Sequence, residues 1–397
     1  KKIFIWYSHE HSDHFSMSFL KMIQKEKIDA TIIFHRTLDG RVTAFLRSQK
    51  LDVIDAEDGK PVLLGDSFCI ATWSYRNDDS FCVIKSNEMS ILNINDCVIS
   101  TENEARIVMS KLSQFSNHID ILFTQFGYAN WIGNEEDKDE RIKVANQKCH
   151  RISNQDKVFN PSVIIPFASF VYFCHPENFY LNDAQNSPKE LITERVLDSI
   201  KGKIFFLKPK DKISLNSINS ELPQLANLSN NAVKHWSTLI EEITPIQTQP
   251  KKVEIQQLRE EFLMYRKSMS LNFLFLPQLF ETLKVISPVN FLITDINKIA
   301  VLSYVKGITF KNNSNNWHIS LSSESLSFIL KNDFGFDATH VNGRFRLGQN
   351  NEISEVINFF TIQKYYQTGF GINHPITSAK FLLSVIVRKL KKRASLV

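Results

Sequence analysis

Ile3-Phe4-Ile5-Trp6-Tyr7-Ser8-His9-Glu10-His11-Ser12-Asp13-His14 runs from an apolar, aromatic and β-branched block straight into three imidazoles and a carboxylate. The block reads as a buried strand and the polar half as the loop at its end. Neutral imidazole nitrogen and anionic carboxylate oxygen are the donors a divalent transition metal prefers. A tight turn lets donors this close in sequence converge on two adjacent ions. In this motif type His9 and His11 serve one ion, and Asp13 with His14 serves the other. The whole chain holds 11 histidines in 397 residues, so three within six positions behind a strand are not what chance spacing produces.

Each ion needs more than two protein donors, so further ligands must come from later strand ends. Asp96 closes the apolar run Ile91-Leu-Asn-Ile-Asn-Asp96, where its carboxylate could bridge two ions; the competing reading is a turn aspartate capping the next helix. The apolar run Val163–Phe173 reads as a further strand, and His175 follows its stretch Ile164–Phe173 and precedes Pro176, again at a strand end. Taken alone it reads as a hydrogen-bonded structural imidazole.

Around these positions Ser16–Lys27 reads as a helix and Ala30–Phe34 as the next strand. Short strands are expected at Leu51–Asp55, Phe68–Trp73, Phe81–Lys85 and Ser90–Asn95, then a helix over Glu104–Phe115 and a strand over Ile119–Gln125. Strands first, with helices alternating later, suit an α/β sandwich whose strand-end loops carry the chemistry. The polar stretch Thr244–Val253, with two prolines, reads as a linker between a domain over residues 1–245 and one over 254–397. The second is expected to be α+β. Its helices fall at Glu254–Ser268, Leu276–Leu283 and Ser323–Asn332, and its strands at Asn290–Asp295, Ile299–Val305, Gly307–Lys311 and Trp317–Leu321.

The bulk numbers exclude several classes. A net charge of +5 over this length is too mild for a nucleic-acid binder, and no apolar run approaches the length of a membrane span. Five cysteines with no CxxC spacing exclude a four-cysteine zinc site and a Rieske cluster, and read as reduced thiols of a cytoplasmic protein.

The stretches Ile91–Cys97, Pro161–Phe170, His175-Pro176 and Asn186–Leu191, with Ser8–Ser16 and more weakly Phe123–Gly127, resemble the catalytic domain of the CMP-N-acetylneuraminate hydroxylase family, in the metallo-β-lactamase superfamily. The resemblance covers roughly residues 1–200. It implies the αβ/βα four-layer sandwich with a metal centre at its rim. By position it matches His9, His11, Asp13, His14, Asp96 and His175 to metal-site residues, with Asp13 and Asp96 the expected catalytic pair.

Two departures matter. The superfamily normally has another histidine before the Asp96 strand, but this chain reads Trp73-Ser-Tyr-Arg-Asn-Asp-Asp-Ser80. Tyr75 aligns with that place, with Asp78 and Asp79 nearby, and an oxygen donor there makes the site harder and more iron-like. The Rieske domain of the hydroxylases is also absent, so an oxygenase needs a separate electron donor. The chain starts at the motif strand, where the fold ordinarily has β-hairpins, so the natural N-terminus is expected upstream.

Weaker signals are Arg36, Arg41 and Arg47, which could bind an anion but read more simply as a solvated turn, and Tyr128 with Trp131, which serve a cleft or the core equally well. Val341-Asn-Gly-Arg-Phe-Arg-Leu347, with Trp317 and Asp333-Phe-Gly, is similar to sterol-carrier-like C-terminal modules, although a lid or a homodimerisation domain is the simpler role. Arg388–Arg393 ends a helix expected from Thr377, where cations suit the helix dipole.

The expected function is a metal-dependent oxidoreductase, oxygenase-like, with one or two non-haem iron ions and zinc or manganese as alternatives. Its substrate is a small polar molecule, sugar- or nucleotide-linked. The alternative is a hydrolase of the same fold acting on a phosphodiester, amide or lactone. A metal-binding scaffold without catalysis comes third.

Overall fold

The computed structural model describes residues 2–11, 14–37, 40–76, 79–86, 89–193, 200–213, 218–245, 251–312, 316–349 and 351–367. Within these it is a mixed α/β protein that divides into two compact units. The first comprises 1–129, 137–172 and 182–244; the second comprises 130–136, 173–181 and 245–397.

The first unit begins with three parallel strands, β1 (Ile3–Tyr7), β2 (Ala30–His35) and β3 (Asp52–Ala56), joined by α1 (Met17–Lys25) and α2 (Arg41–Ser48). A seven-stranded sheet follows in the order β10-β9-β8-β7-β6-β5-β4. Its strands are β4 (Val62–Leu63), β5 (Cys69–Ser74), β6 (Ser80–Lys85), β7 (Ser90–Asn93), β8 (Ile121–Thr124), β9 (Val163–Pro166) and β10 (Lys203–Ile204). The helices α3 (Glu102–Leu112), α4 (Lys138–Phe159), α5 (Pro188–Thr193) and α6 (Ile218–Glu242) complete the unit.

Strand alternation sorts the side chains. Ile5, Tyr7, Ile32, Phe34 and Val53 turn outward onto Leu20 of α1 and Val42 and Leu46 of α2. Their neighbours Phe4, Trp6, Ile33, Ile54 and Ala56 turn the other way and share a cluster with Val62, Ile70, Cys82 and Ile84 of β4–β6. On the opposite face of that larger sheet, Ala71, Phe81, Val83, Leu92, Leu122 and Ile164 pack on Ala105, Val108 and Leu112 of α3 and Cys149, Ile152 and Phe159 of α4. Beyond β6 the inner face changes partner, and Ile121, Val163 and Ile165 are covered by Leu222 and Leu225 of α6.

The second unit is built on a sheet of order β13-β12-β11-β14-β15: β11 (Val289–Ile293), β12 (Lys298–Ser303), β13 (Gly307–Asn312), β14 (Ile319–Leu321) and β15 (Arg346–Leu347). One core joins it to α7 (Ile255–Asn272), α9 (Ser323–Lys331), α10 (Gly335–Asn342) and α11 (Ile353–Gln367), with α8 (Leu276–Thr282) following α7.

Several expectations are corrected. The run Val163–Phe173 is not one strand, because β9 stops at Pro166, which has no N–H for a further ladder bond. Ala168 then takes a left-handed backbone (φ 55°), and the chain to His175 is irregular. Arg41 and Arg47 lie in helix α2 rather than in a turn. Helices α4 and α6 were not anticipated. Among the described residues no helix is long and apolar enough to cross a membrane. Asp13, Asp78, most of the Pro-containing stretch after Pro245 and the basic segment Arg388–Arg393 lie outside the described residues.

Candidate metal centre

The loop after β1 is pinned by two later strand ends. Ser80, opening β6, donates its hydroxyl to the Ser8 carbonyl at 2.6 Å. Asn95, just past β7, donates its side-chain amide to the Ser8 hydroxyl at 2.6 Å. Asn95 has a left-handed backbone (φ 44°), which asparagine tolerates better than most residues, and its own N–H donates to Asn93 Oδ1 at 3.0 Å. Ser8 Oγ then lies 3.0 Å from His9 Nδ1. A serine oxygen has two lone pairs and can accept from Asn95 and His9 together. With the His9 proton on Nδ1, Nε2 would be the nitrogen offered to an ion.

His9 is 2% exposed and sits at the centre of the cluster. Its Nε2 is 2.8 Å from His11 Nδ1 and 3.7 Å from Asp96 Oδ2, while its Nδ1 is 3.7 Å from Asp79 Oδ1. His14 Nε2 lies 2.9 Å from Asp96 Oδ2. Two donor groups result, His9–His11–Asp79 and His9–His14–Asp96, and within each the ligand atoms lie within 4.8 Å of one another. Donors bound about 2.0–2.2 Å from one ion are at most about 4.4 Å apart, so small side-chain adjustments would close either group on a metal. Imidazole nitrogen with carboxylate oxygen is also the donor chemistry a divalent transition ion takes.

Asp79 is placed by the β5–β6 hairpin, where Tyr75 N–H donates to the Asp79 carbonyl at 2.7 Å. That bond closes the turn and carries the Asp79 carboxylate to the His9 and His11 rings. Tyr75 itself does not take the place expected of it. Its ring packs on Phe81, and its hydroxyl donates to the Val98 carbonyl at 3.1 Å. Asp96 is likewise no helix cap: Thr101 caps α3 in a reciprocal capping box with Glu104, which leaves the Asp96 carboxylate to the imidazoles.

His175 belongs to the second unit. There its N–H donates to Asn178 Oδ1 at 3.0 Å and its Nδ1 accepts from the Glu177 N–H at 3.2 Å. Burial, and then the Arg344 charge, hold its pKa below the ordinary histidine value. The two donor groups above are made by first-unit residues alone. Of the early arginines, Arg41 donates to Glu10 Oε1 at 2.7 Å inside the motif loop, and Arg36 pairs with Asp55 and Glu57.

Two residues near the site carried no signal of their own. Gln125 Nε2 donates to Asp96 Oδ1 at 2.6 Å, and Lys148 Nζ donates to Gln125 Oε1 at 3.2 Å. Gln125 follows β8 as Asp96 follows its parallel neighbour β7, so pairing the two strand ends would have found it. Lys148 sits in α4, which was not anticipated.

No family model matches the sequence, and no curated protein matches it. Solved structures similar to it include a mutant of CmlA beta-hydroxylase, with a TM-score of 0.36, 13% identity, and 52% of this chain and 43% of that one covered. The metallo-beta-lactamase fold protein YhfI from Bacillus subtilis is similar at a TM-score of 0.33 and 14% identity, over 52% of this chain and 74% of that one. Human tRNase Z, short form, is similar at a TM-score of 0.27 and 14% identity, over 42% and 71%. The chain thus spans less than half the length of the hydroxylase. At these TM-scores the likeness is loose, and the chain's own strand order and donor groups speak for its chemistry.

Proposed function

We propose that the first unit is a metal-dependent enzyme of the metallo-β-lactamase fold, acting as a non-haem iron oxidoreductase on a small polar substrate. Helices α1 and α2 outside β1–β3, those strands facing β4–β6, and α3 with α4 on the far side support the αβ/βα order. The observation that carries the reading is Asp79. It stands beside His9 and His11, so the donors are two imidazole nitrogens and a carboxylate oxygen, a harder set than three imidazoles and one that favours iron or manganese over zinc.

A redox-active ion held there supplies dioxygen activation, whereas zinc would supply a hydroxide nucleophile by lowering its water's pKa to about 7. Asp13 would join His14 and Asp96 at the second position, by the motif's spacing. An oxygenase would draw electrons from a separate donor. The similarity of residues 1–200 to the CMP-N-acetylneuraminate hydroxylases, carried by sequence stretches, supports a sugar- or nucleotide-linked substrate. The five cysteines are thiols, which fits a reducing compartment. We assign the second unit an accessory role.

Metal analysis with absorption spectroscopy on aerobically purified protein tests the reading. One to two equivalents of metal are expected, with iron exceeding zinc, and the double variant His9→Ala, His11→Ala should lose at least one equivalent. Undiminished metal in that variant removes the assignment. Zinc alone in the parent points to the hydrolase.

A further inference from the structure

The Gln125 amide stands between two groups of fixed polarity. The Asp96 carboxylate can only accept and the Lys148 ammonium can only donate, so the amide has one workable orientation. Gln125 Nε2 gives to Asp96 Oδ1 (2.6 Å), and Gln125 Oε1 receives from Lys148 Nζ (3.2 Å). Polarised from both ends, such a chain is stronger than its links taken singly. Lys148 comes from the middle of α4, and burial drives its pKa down to about 8; Arg151, one turn on, pushes the same way, and Asp96 opposes. Withdrawing an ammonium from water is costly unless it is paired and hydrogen-bonded, and here Gln125 Oε1 accepts from it.

The consequence falls on Asp96. With Oδ1 held by Gln125, the oxygen facing the imidazoles is Oδ2, 2.9 Å from His14 Nε2 and 3.7 Å from His9 Nε2. We propose that Gln125 and Lys148 are positioning residues that hold Asp96 with its Oδ2 turned to His9 and His14, with the half-buried Lys148 supplying positive charge beside that carboxylate. The inference rests on the reading of these residues as a metal centre. A lysine that α4 only packs against its surroundings would have no such effect.

The test is Mn(II) affinity of the full chain by titration calorimetry, for the parent, Gln125→Ala, Lys148→Met, Lys148→Arg and Asp96→Ala, with thermal unfolding in chelator alongside. Outer partners of metal ligands typically change affinity about 10- to 100-fold. Gln125→Ala and Lys148→Met should each weaken Mn(II) binding by that much, and Lys148→Arg should recover most of the loss. Combining Gln125→Ala with Lys148→Met should be no worse than the poorer single variant. Thermal unfolding in chelator shows how far each variant is destabilised without metal, so that lost affinity is told apart from lost folding. Gln125→Ala keeps the ammonium, so it decides the matter if Lys148→Met fails to fold. Affinities within twofold of the parent for both variants, with binding abolished in Asp96→Ala, overturn this inference and leave the metal centre standing. Parent-like binding by Asp96→Ala overturns the metal centre and the inference with it.

Discussion

The side-chain amide of Asn95 donates to the Ser8 hydroxyl at 2.6 Å across 87 residues of sequence, and that hydroxyl lies 3.0 Å from His9 Nδ1. The end of β7 therefore sets the orientation of the first histidine of the β1 loop. In Ser8→Ala the buried Asn95 amide loses its acceptor and His9 loses its Nδ1 partner. Leaving a buried donor unsatisfied costs about 1–3 kcal/mol. We expect a stability loss of that size in urea unfolding, and Mn(II) binding about tenfold weaker in protein that is still folded. Unchanged affinity in a folded Ser8→Ala protein means that His9 is held by other contacts.

A second expectation concerns the element bound. Asp79, not Tyr75, lies against His9 and His11, and the Tyr75 hydroxyl is committed to the Val98 carbonyl. Asp79→His should therefore turn an oxygen-bearing group into three imidazoles and shift the bound metal toward zinc. Tyr75→His should leave the iron-to-zinc ratio where it is. Mass-spectrometric metal analysis of the two variants, grown in the same medium, checks both. A zinc shift in Tyr75→His alone reverses the assignment.

What the sequence showed plainly was β1 and its loop, because an unbroken apolar block running into clustered imidazoles has few other readings. The residues alone leave Tyr75, Asp78, Asp79 or only water in place of the missing histidine, and it takes the structure to bring the Asp79 carboxylate beside His9 and His11. Helix α4 was illegible for a physical reason. Its buried face mixes Ala145, Cys149, Ile152 and Phe159 with Arg141 and Asp156, so no apolar stripe stands out. Arg141 is tied to Asp183, and Asp156 accepts from the Lys201 and Gly202 N–H groups, partners that no local pattern reveals. His175 stood behind what read as a long strand, and the run of apolar residues concealed the stop that Pro166 imposes.

Cysteine reactivity is a third expectation. Cys82 is fully buried and Cys97 is 5% exposed, and burial pushes both thiols far above the ordinary cysteine range. Only the thiolate is an effective nucleophile, so neither should react with iodoacetamide at neutral pH in the native protein. Peptide mapping by mass spectrometry should find Cys82 and Cys97 alkylated only after denaturant is added. Labelling of either one as fast as the half-exposed Cys69 contradicts the packing between and outside the sheets.

The last expectation concerns where the second unit can be cut. Two short segments from the first half of the sequence, 130–136 and 173–181, belong to it. Asn134 pairs both ways with Leu347 of β15, giving its amide to the Leu347 carbonyl (3.0 Å) and accepting from the Leu347 N–H (2.8 Å). Arg344 Nε donates to Glu177 Oε2 at 2.9 Å, and Asn178 Nδ2 donates to the Asn342 carbonyl at 2.7 Å. A fragment covering 251–397 keeps the core of β11–β15 and its helices but loses all four bonds. At about 0.5–1.5 kcal/mol each, it should be less stable than the same unit in the full chain by about 2–6 kcal/mol. Hydrogen exchange read on a peptide spanning 289–303 measures this, and faster exchange is expected in the fragment. Equal protection would mean that the two inserted segments lend the unit no stability and that a cut after Thr244 separates two self-sufficient domains.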